Sequence, residues 1–196
     1  MSGPVAGILL AAGGGSRLGQ PKALVELGGE SLARRGVRLL HDGGAAPIVV
    51  VTGAVAVDLP GVLAVHNPDW RSGMGSSLAA GLATVPEGCG AAVVALVDQP
   101  LVGPEAVRRL IAAYLAGARV AVAAYGGAPR NPVLLAREHW PEVAALAAGD
   151  TGARAFLRAR PELVTLVECG DTGSPDDLDT RSDLERLSAQ VRPLPR

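Results

Sequence analysis

Short apolar runs alternate along this chain with longer stretches in which apolar residues recur at helical spacing. Runs rich in Val, Ile, Leu and Ala are typical of strands that are buried on both faces of a sheet. The pattern predicts strands at 5–11, 48–52, 62–66, 91–97, 120–124, 133–135 and 163–168. It predicts helices at 31–40, 76–85, 104–115, 140–147, 153–158 and 182–191.

The alternation of strands and helices is typical of βαβ units, which close a mostly parallel sheet. We therefore expect an α/β fold: a three-layer, Rossmann-like sheet with helices on both faces. No Pro/Ser-rich linker interrupts the chain, so we expect a single domain over 1–191, followed by a loose tail at 192–196. Two helix starts carry recognisable signals. Pro104 suits a first helical position, and Thr180 with Asp183 resembles a capping box.

The composition excludes several classes of function. Hydrophobic residues make up 48% of the chain but aromatic residues only 3%, so the core must consist of Ala, Val and Leu. A net charge of -1 without a basic run argues against binding nucleic acid. Gly, Pro or charged residues interrupt each apolar run before it could span a membrane, and no basic stretch precedes the first apolar residues as in a signal peptide. We expect a cytoplasmic protein in which Cys89 and Cys169 are buried free thiols.

The first predicted strand leads into a glycine-rich loop, LAAGGGSRLGQPK at 10–22. Its spacing matches neither a Walker loop nor a dinucleotide-binding loop. A glycine-rich turn is more often only a turn. Here, however, Arg17 and Lys22 lie at the carboxyl end of the first strand, where open α/β sheets bind ligands. The loop is therefore a candidate site for an anion, with backbone amides and two cationic side chains as its donors.

Two carboxylates are candidate metal ligands. Asp98 directly follows the most apolar stretch of the chain; an Asp at this point is about as often a turn former or a helix cap. Mg²⁺ takes one or two carboxylates and completes its shell with water and phosphate oxygens, and Asp98 suits that role. Asp179 lies in the acidic cluster 176–183, which on its residues alone indicates a solvated loop with a helix cap at Thr180.

Three motifs together resemble the molybdenum cofactor cytidylyltransferases and related nucleotidyltransferases, which have the nucleotide-diphospho-sugar transferase type of fold. The motifs are the loop at 10–22 with the ALVELGG that follows it, Gly-Met-Gly-Ser-Ser-Leu at 73–78, and Asp-Gln-Pro at 98–100. The resemblance implies that Arg17 and Lys22 contact the phosphates of the nucleotide and act as catalytic residues. It also implies that Asp98 and Asp179 hold Mg²⁺. The residues that it implies for nucleotide binding are Leu10, Ala11, Ala12, Gly13, Gly14, Gly15, Gly75, Ser76 and Ser77.

The resemblance implies transfer of CMP from CTP to the phosphate of molybdopterin-type molybdenum cofactor, with release of pyrophosphate. A molybdoenzyme or its chaperone would then receive the product. Ala12 favours CTP, because the guanylyltransferase branch usually has a second glycine there. The segments 126–134 and 149–154 resemble those on the acceptor side of the family's cleft, although Asn131 replaces the usual His. Three alternatives stay open: a guanylyltransferase, a cytidylyltransferase with another phosphorylated acceptor, and a non-catalytic nucleotide-binding module.

Overall fold

The computed structural model describes residues 3–191, and a seven-stranded sheet forms its centre. The predicted tail at 192–196 lies outside the described residues. The strands in chain order are β1 (Val5–Leu10), β2 (Glu26–Leu27), β3 (Glu30–Ser31), β4 (Ile48–Thr52), β5 (Leu63–His66), β6 (Ala91–Leu96), β7 (Val120–Tyr125), β8 (Ala128–Ala136) and β9 (Val164–Glu168). Their order in the large sheet is β5-β4-β1-β6-β8-β7-β9. Only β8 runs antiparallel to its neighbours there, which confirms a mostly parallel sheet.

Helices cover both faces of this sheet, as the alternation predicts. They are α1 (Leu32–Asp42), α2 (Met74–Thr84), α3 (Pro104–Leu115), α4 (Trp140–Leu146), α5 (Arg154–Ala159) and α6 (Arg181–Ser188). The apolar residues of α1, α3 and α6 pack in one core on one face, and those of α2, α4 and α5 pack in a second core on the other. Both cores are made mainly of Ala, Val and Leu, and both cysteines are buried and free.

The main departure from the sequence pattern is β8, which has nine residues instead of the three predicted at 133–135. Its first half, Ala128–Asn131, is partly exposed and contains a proline and two polar residues, so it lacks the apolar signal of its second half. Gly126 and Gly127, both with positive φ, form the tight turn that joins it to β7. The pattern also missed the β2–β3 hairpin, because two-residue strands carry no periodicity.

The observed starts of the helices agree better with the predicted bounds than the observed ends do. Pro104 occupies the first turn of α3, and the side chains of Thr180 and Asp183 form a complete capping box at the start of α6. In contrast, α1 ends at Asp42 and not at residue 40, and α6 ends at Ser188 and not at residue 191. The largest error at a start is at α2, which begins at Met74 and not at residue 76. A cap residue acts locally, whereas the end of a helix depends on what it packs against.

The topology brings the glycine-rich loop and Asp98 to the same edge of the sheet. β1 lies between β4 and β6 and is parallel to both, and Leu10 of β1 is opposite Leu96 of β6. The ladder continues past the strand ends, since the amide of Val97 donates to the carbonyl of Leu10 over 3.2 Å. The chain runs from β1 outward to β5 and then returns to β6, so this edge is a switch point, where open α/β sheets bind ligands.

Candidate nucleotide and metal site

The glycine-rich loop is fixed at its start and open in its middle. The amide of Ala11 donates to Val51 over 2.9 Å, and the carbonyl of Ala12 accepts from the amide of Ala54 over 3.0 Å. These bonds extend β1 beyond Leu10 and bury both alanines. Gly13 follows as an exposed residue, and no described atom lies within 4 Å of the position that a Cβ would take there. The loop thus leaves free space at the carboxyl end of β1.

Gly15 closes the loop through a conformation that suits only glycine. Its φ is +61°, and a Cβ at this position would collide with the carbonyl of Gln20. Its own carbonyl accepts from the amides of Leu18 and Gly19 over 2.9 and 3.0 Å. Arg17 lies on the exposed part of this turn and forms no ion pair within residues 3–191. Its guanidinium is therefore available to a ligand.

Lys22 links the loop to both candidate metal ligands. It begins a short 3₁₀ turn, Lys22–Leu24, and its ammonium Nζ donates to Oδ2 of Asp98 over 2.7 Å and to Oδ1 of Asp179. The exposed fractions of the three side chains are 16% for Lys22, 23% for Asp98 and 42% for Asp179. Burial by itself lowers the pKa of Lys22, but the two carboxylates outweigh it, and the net pKa is raised above its usual value. Lys22 is therefore charged at neutral pH.

The segment 175–179 lies along the end of β6 and brings Asp179 to Asp98. The amide of Leu178 donates to the carbonyl of Asp98 over 2.8 Å. The amide group of Gln99 donates to the carbonyl of Pro175 over 3.2 Å and to Oδ1 of Asp177 over 2.9 Å. Burial raises the pKa of Asp177, and the nearby carboxylates of Asp98 and Asp179 raise it further. Sequence reasoning missed Gln99 and Asp177 as site residues, although the Asp-Gln-Pro motif and the acidic cluster contained them.

The carboxylate oxygens of Asp98 and Asp179 are suitable ligands for a divalent metal ion. Asp98 and Asp179 both reach one ammonium group, so both would also reach one cation in its place. Within residues 3–191, no three Asp, Glu, His or Cys side chains form a complete metal cage. A site with two carboxylates suits Mg²⁺, which retains water and phosphate oxygens in its shell. Lys22 would compete with such a cation for the same two carboxylates, because both carry positive charge.

Asn67 organises the connection between β5 and α2, and sequence reasoning missed it. Its side-chain amide donates to the hydroxyls of Ser76 and Ser77, over 2.9 Å in each case. Its side-chain oxygen accepts from the amide of Asp69 over 3.0 Å. Asn67 and Ser77 are both buried, so these bonds satisfy polar groups that water does not reach. The hydroxyls thus have an internal role, and their contact with a nucleotide stays a prediction.

Gly73 and Gly75 allow the start of α2 to pack directly on the segment 147–149. Gly73 has a φ of +117°, and a Cβ there would collide with the backbone of Gly149. A Cβ at Gly75 would collide with the carbonyl of Ala147. The absence of side chains at both positions is therefore explained by packing. The contact also couples the segment predicted to hold the nucleotide with one predicted to lie near the acceptor.

A large open cavity of about 800 Å³ lies beside the cluster of Asp98 and Asp179. Gln99, which directly follows Asp98, and Asp177, two residues before Asp179, line part of it. Asn131 lines it as well, on β8. The remaining wall comes from β7, β8 and β9, from α5, and from Pro161 and Pro175. Its volume lies in the range of small-molecule sites, about 300–1,000 Å³.

Comparison with known proteins identifies the family. Residues 7–164 match the model of the MobA-like NTP transferase domain, which is most of the chain. The chain belongs to this family. The match supports nucleotidyltransferase activity and confirms the expected relationship to the molybdenum cofactor nucleotidyltransferases.

The chain is also similar over nearly its full length to individual proteins. It is 40% identical to nicotine blue oxidoreductase of Paenarthrobacter nicotinovorans, over 93% of this chain and 96% of that protein. Among solved structures, a mycobacterial homologue of Rv0371c from strain JC1 is 31% identical, with a TM-score of 0.85 over 97% of this chain and 98% of the other. Rv0371c of Mycobacterium tuberculosis in complex with manganese is 27% identical, with a TM-score of 0.78 over 96% of this chain and 100% of that one.

No helix within residues 3–191 of this MobA-like protein combines the length and the apolar character that crossing a bilayer requires.

Proposed function

We propose that this protein transfers CMP from CTP to the phosphate of molybdopterin-type molybdenum cofactor and releases pyrophosphate. The observation that carries the proposal is the ion-paired cluster of Lys22, Asp98 and Asp179 beside the open glycine-rich loop. The match to the MobA-like NTP transferase domain supports the same class of reaction. The choice of CTP and of the acceptor rests on the sequence resemblance, in particular on Ala12.

The protein contributes to the reaction by positioning the two substrates and by neutralising the negative charge of their phosphates. The acceptor phosphate attacks the α-phosphorus of CTP, and the bond to the leaving pyrophosphate breaks. A phosphate monoester has a second pKa of about 6 and is largely ionised at neutral pH, so the chain needs no general base. We assign binding of the triphosphate to the loop amides of Gly13, Gly14 and Gly15. Arg17 and Lys22 neutralise the negative charge that moves toward the pyrophosphate.

Asp98 and Asp179 would hold a divalent metal ion, for which we propose Mg²⁺. When bound, such an ion neutralises phosphate charge and holds the triphosphate in a reactive orientation. The manganese complex of the related Rv0371c is consistent with a divalent cation in this fold. When no such ion is bound, Lys22 keeps both carboxylates paired and so limits their mutual repulsion.

A screen of the four nucleoside triphosphates with purified molybdenum cofactor tests this proposal. Each reaction contains Mg²⁺, and both pyrophosphate release and the mass of the product are measured. We expect the cytosine dinucleotide as the main product. Equal or faster turnover with GTP would assign the protein to the guanylyltransferases instead. Nucleotide binding without release of pyrophosphate by any triphosphate would indicate a binding module.

A second candidate function comes from the relative named nicotine blue oxidoreductase, because its 40% identity extends over almost the whole chain. Such an activity would use the same switch point of the sheet for a redox nucleotide instead of a triphosphate substrate. The two candidates differ in their readouts. An oxidoreductase would consume a reduced nicotinamide nucleotide in the presence of a dye acceptor and release no pyrophosphate. A transferase would show the opposite result with the same protein.

A further inference from the structure

Arginine side chains dominate the charge of the cavity beside the candidate active site. Arg130 of β8 and both Arg154 and Arg158 of α5 line it, whereas Asp177 is the single carboxylate among its lining residues. Arg154 and Arg158 are four residues apart on one helix and therefore lie on the same side of it. The cavity thus presents a concentrated positive charge next to the site proposed for phosphate transfer.

These arginines differ from most others in the chain because they have no acidic partner within residues 3–191. Arg160, which directly follows α5, pairs with Glu142 over 2.9 Å and with Glu162 over 2.7 Å. Among the described residues, Arg154 and Arg158 form no ion pair, and the guanidinium of Arg130 donates only to the carbonyl of Pro129. Two like charges at this spacing on a helix repel each other. A bound anion would remove that repulsion and supply the missing partner.

Apart from Gln99, Asn131 and the charged residues, the cavity wall is apolar. Its apolar side chains come from the strands β7, β8 and β9 and from α5. They are Val122, Val133, Val164, Leu166 and Leu157. Leu166 is 50% exposed, although it is a large hydrophobic residue on a strand. This combination of an apolar wall with a few charged groups is typical of a site for a ligand that has an apolar body and anionic substituents.

We propose that this cavity binds the acceptor, and that Arg154 and Arg158 bind an anionic group of the acceptor other than the attacking phosphate. The proposal rests on the proposed transfer reaction and specifies its substrate class: an acceptor with an apolar body and at least two anionic groups. Gln99, which directly follows Asp98, and Asp177, two residues before Asp179, both line the cavity and are hydrogen-bonded to each other. One end of such an acceptor would therefore lie close to the nucleotide, and the other end would contact α5.

The experiment compares two probes that differ in a single anionic group, phenyl phosphate and 4-carboxyphenyl phosphate. Calorimetry measures the binding of each to wild type, to the double variant Arg154→Gln/Arg158→Gln, and to Arg34→Gln. Arg34 is a matched control, because it is an exposed helical arginine of α1 on the opposite face of the sheet and has no ion pair within the described residues. All three substituted arginines are exposed, so we expect the variants to fold, and thermal melting verifies this.

We expect wild type to bind 4-carboxyphenyl phosphate about tenfold more tightly than phenyl phosphate, because the carboxylate adds a charge-assisted contact. The double variant should lose this preference, and Arg34→Gln should keep it. Equal binding of the two probes by wild type, or a preference that persists in the double variant, would overturn the proposal. So would displacement of the probe by a CTP analogue with an α,β-methylene bridge, because the cavity would then belong to the triphosphate.

Turnover separates this proposal from the proposed function. Suppose that wild type binds the two probes equally but releases pyrophosphate normally from CTP and molybdenum cofactor. That result would reject the arginine site alone and leave the transfer reaction standing. A clear preference in wild type that the double variant loses, without turnover of any triphosphate, would reject the transfer reaction and retain an anion site in the cavity.

Discussion

The ammonium of Lys22 lies 2.7 Å from Oδ2 of Asp98, and the same ammonium also bonds Asp179. These residues come from three distant parts of the chain: the loop after β1, the end of β6 and the segment before α6. A single cation therefore pairs with both carboxylates that we propose as metal ligands. Its one positive charge faces two negative charges, so the cluster keeps a net negative charge that a divalent cation can offset.

Replacement of Asp98 by Asn should abolish turnover and leave the fold intact. The amide keeps the size of the side chain but removes the negative charge that a divalent cation requires. We expect a loss of at least about a hundredfold in kcat, the usual scale for loss of a major electrostatic contribution. Steady-state pyrophosphate release and thermal melting measure the two effects. Asp42→Asn, in the exposed last turn of α1, is the control. Near-normal activity of Asp98→Asn in Mg²⁺ would refute the metal assignment.

Replacement of Lys22 by Met should lower kcat more than the affinity for CTP. Charge moves toward the leaving pyrophosphate during the reaction, so a fixed ammonium contributes more to the transition state than to the ground state. We expect kcat to fall by about a hundredfold, which corresponds to about 3 kcal/mol. Calorimetry with CTP, beside steady-state rates, separates the two effects. An equal fall in affinity and kcat/KM with unchanged kcat would make Lys22 a uniform binding residue.

The same Lys22→Met variant should bind a divalent cation more tightly in the absence of nucleotide. Lys22 competes for the carboxylates of Asp98 and Asp179, and its removal leaves two negative groups without a partner. We expect about a tenfold gain in affinity for Mn²⁺, a free-energy change of about 1.4 kcal/mol. Titration with Mn²⁺ by electron paramagnetic resonance measures it. Arg17→Met is the control, because Arg17 forms no ion pair with these carboxylates. Unchanged affinity would place the metal elsewhere.

Two glycines of the loop should respond differently to alanine. Gly13→Ala should leave stability unchanged, since no described atom lies within 4 Å of the new Cβ. The methyl group should nevertheless weaken CTP binding, because the loop amides must approach the phosphates closely. Gly15→Ala should destabilise the fold by about 1–3 kcal/mol through backbone strain. Chemical denaturation and calorimetry test both variants. Normal CTP binding by Gly13→Ala would argue against a triphosphate in this loop.

Lowering the pH should reduce the free energy of unfolding by protonating Glu30. This buried carboxylate accepts two hydrogen bonds from the guanidinium of Arg38, over 2.6 and 3.1 Å. These hydrogen bonds hold its pKa below the usual 4.5, so the stabilisation is complete above pH 4.5 and is lost as the pH falls through the lowered value. We expect Glu30→Gln to cost about 1–2 kcal/mol at neutral pH, because Arg38 is half exposed and solvent screens the pair.

Urea denaturation at a series of pH values measures this effect. The curve of stability against pH should be flatter below pH 4.5 for Glu30→Gln than for wild type, since the variant has no proton to take up at this position. Glu26→Gln provides the matched control. Glu26 lies on the same small hairpin but is exposed and forms no ion pair within the described residues. An identical curve for wild type and Glu30→Gln would show that this carboxylate does not govern acid stability.

Local features of the chain could be predicted because they depend on neighbouring residues. Buried strands such as β4 have continuous apolar runs, and the starts of α3 and α6 have a proline and a capping box. The glycine-rich loop and Asp98 could be placed at one edge because parallel strands end at the same side of a sheet. The antiparallel first half of β8 could not be predicted, since its residues are partly exposed and carry no apolar period.

By itself, the sequence determined the α/β class, the chemistry available at the strand ends and the family to which the motifs belong. Tertiary structure decided which of these groups meet. Only the folded chain brings Lys22 between Asp98 and Asp179, joins Asn67 to Ser76 and Ser77, and gathers three arginines around one cavity. The physical reason is that strand and cap signals arise from nearest neighbours along the chain. Ion pairs and cavities, in contrast, depend on contacts between segments far apart in sequence, which no local pattern encodes.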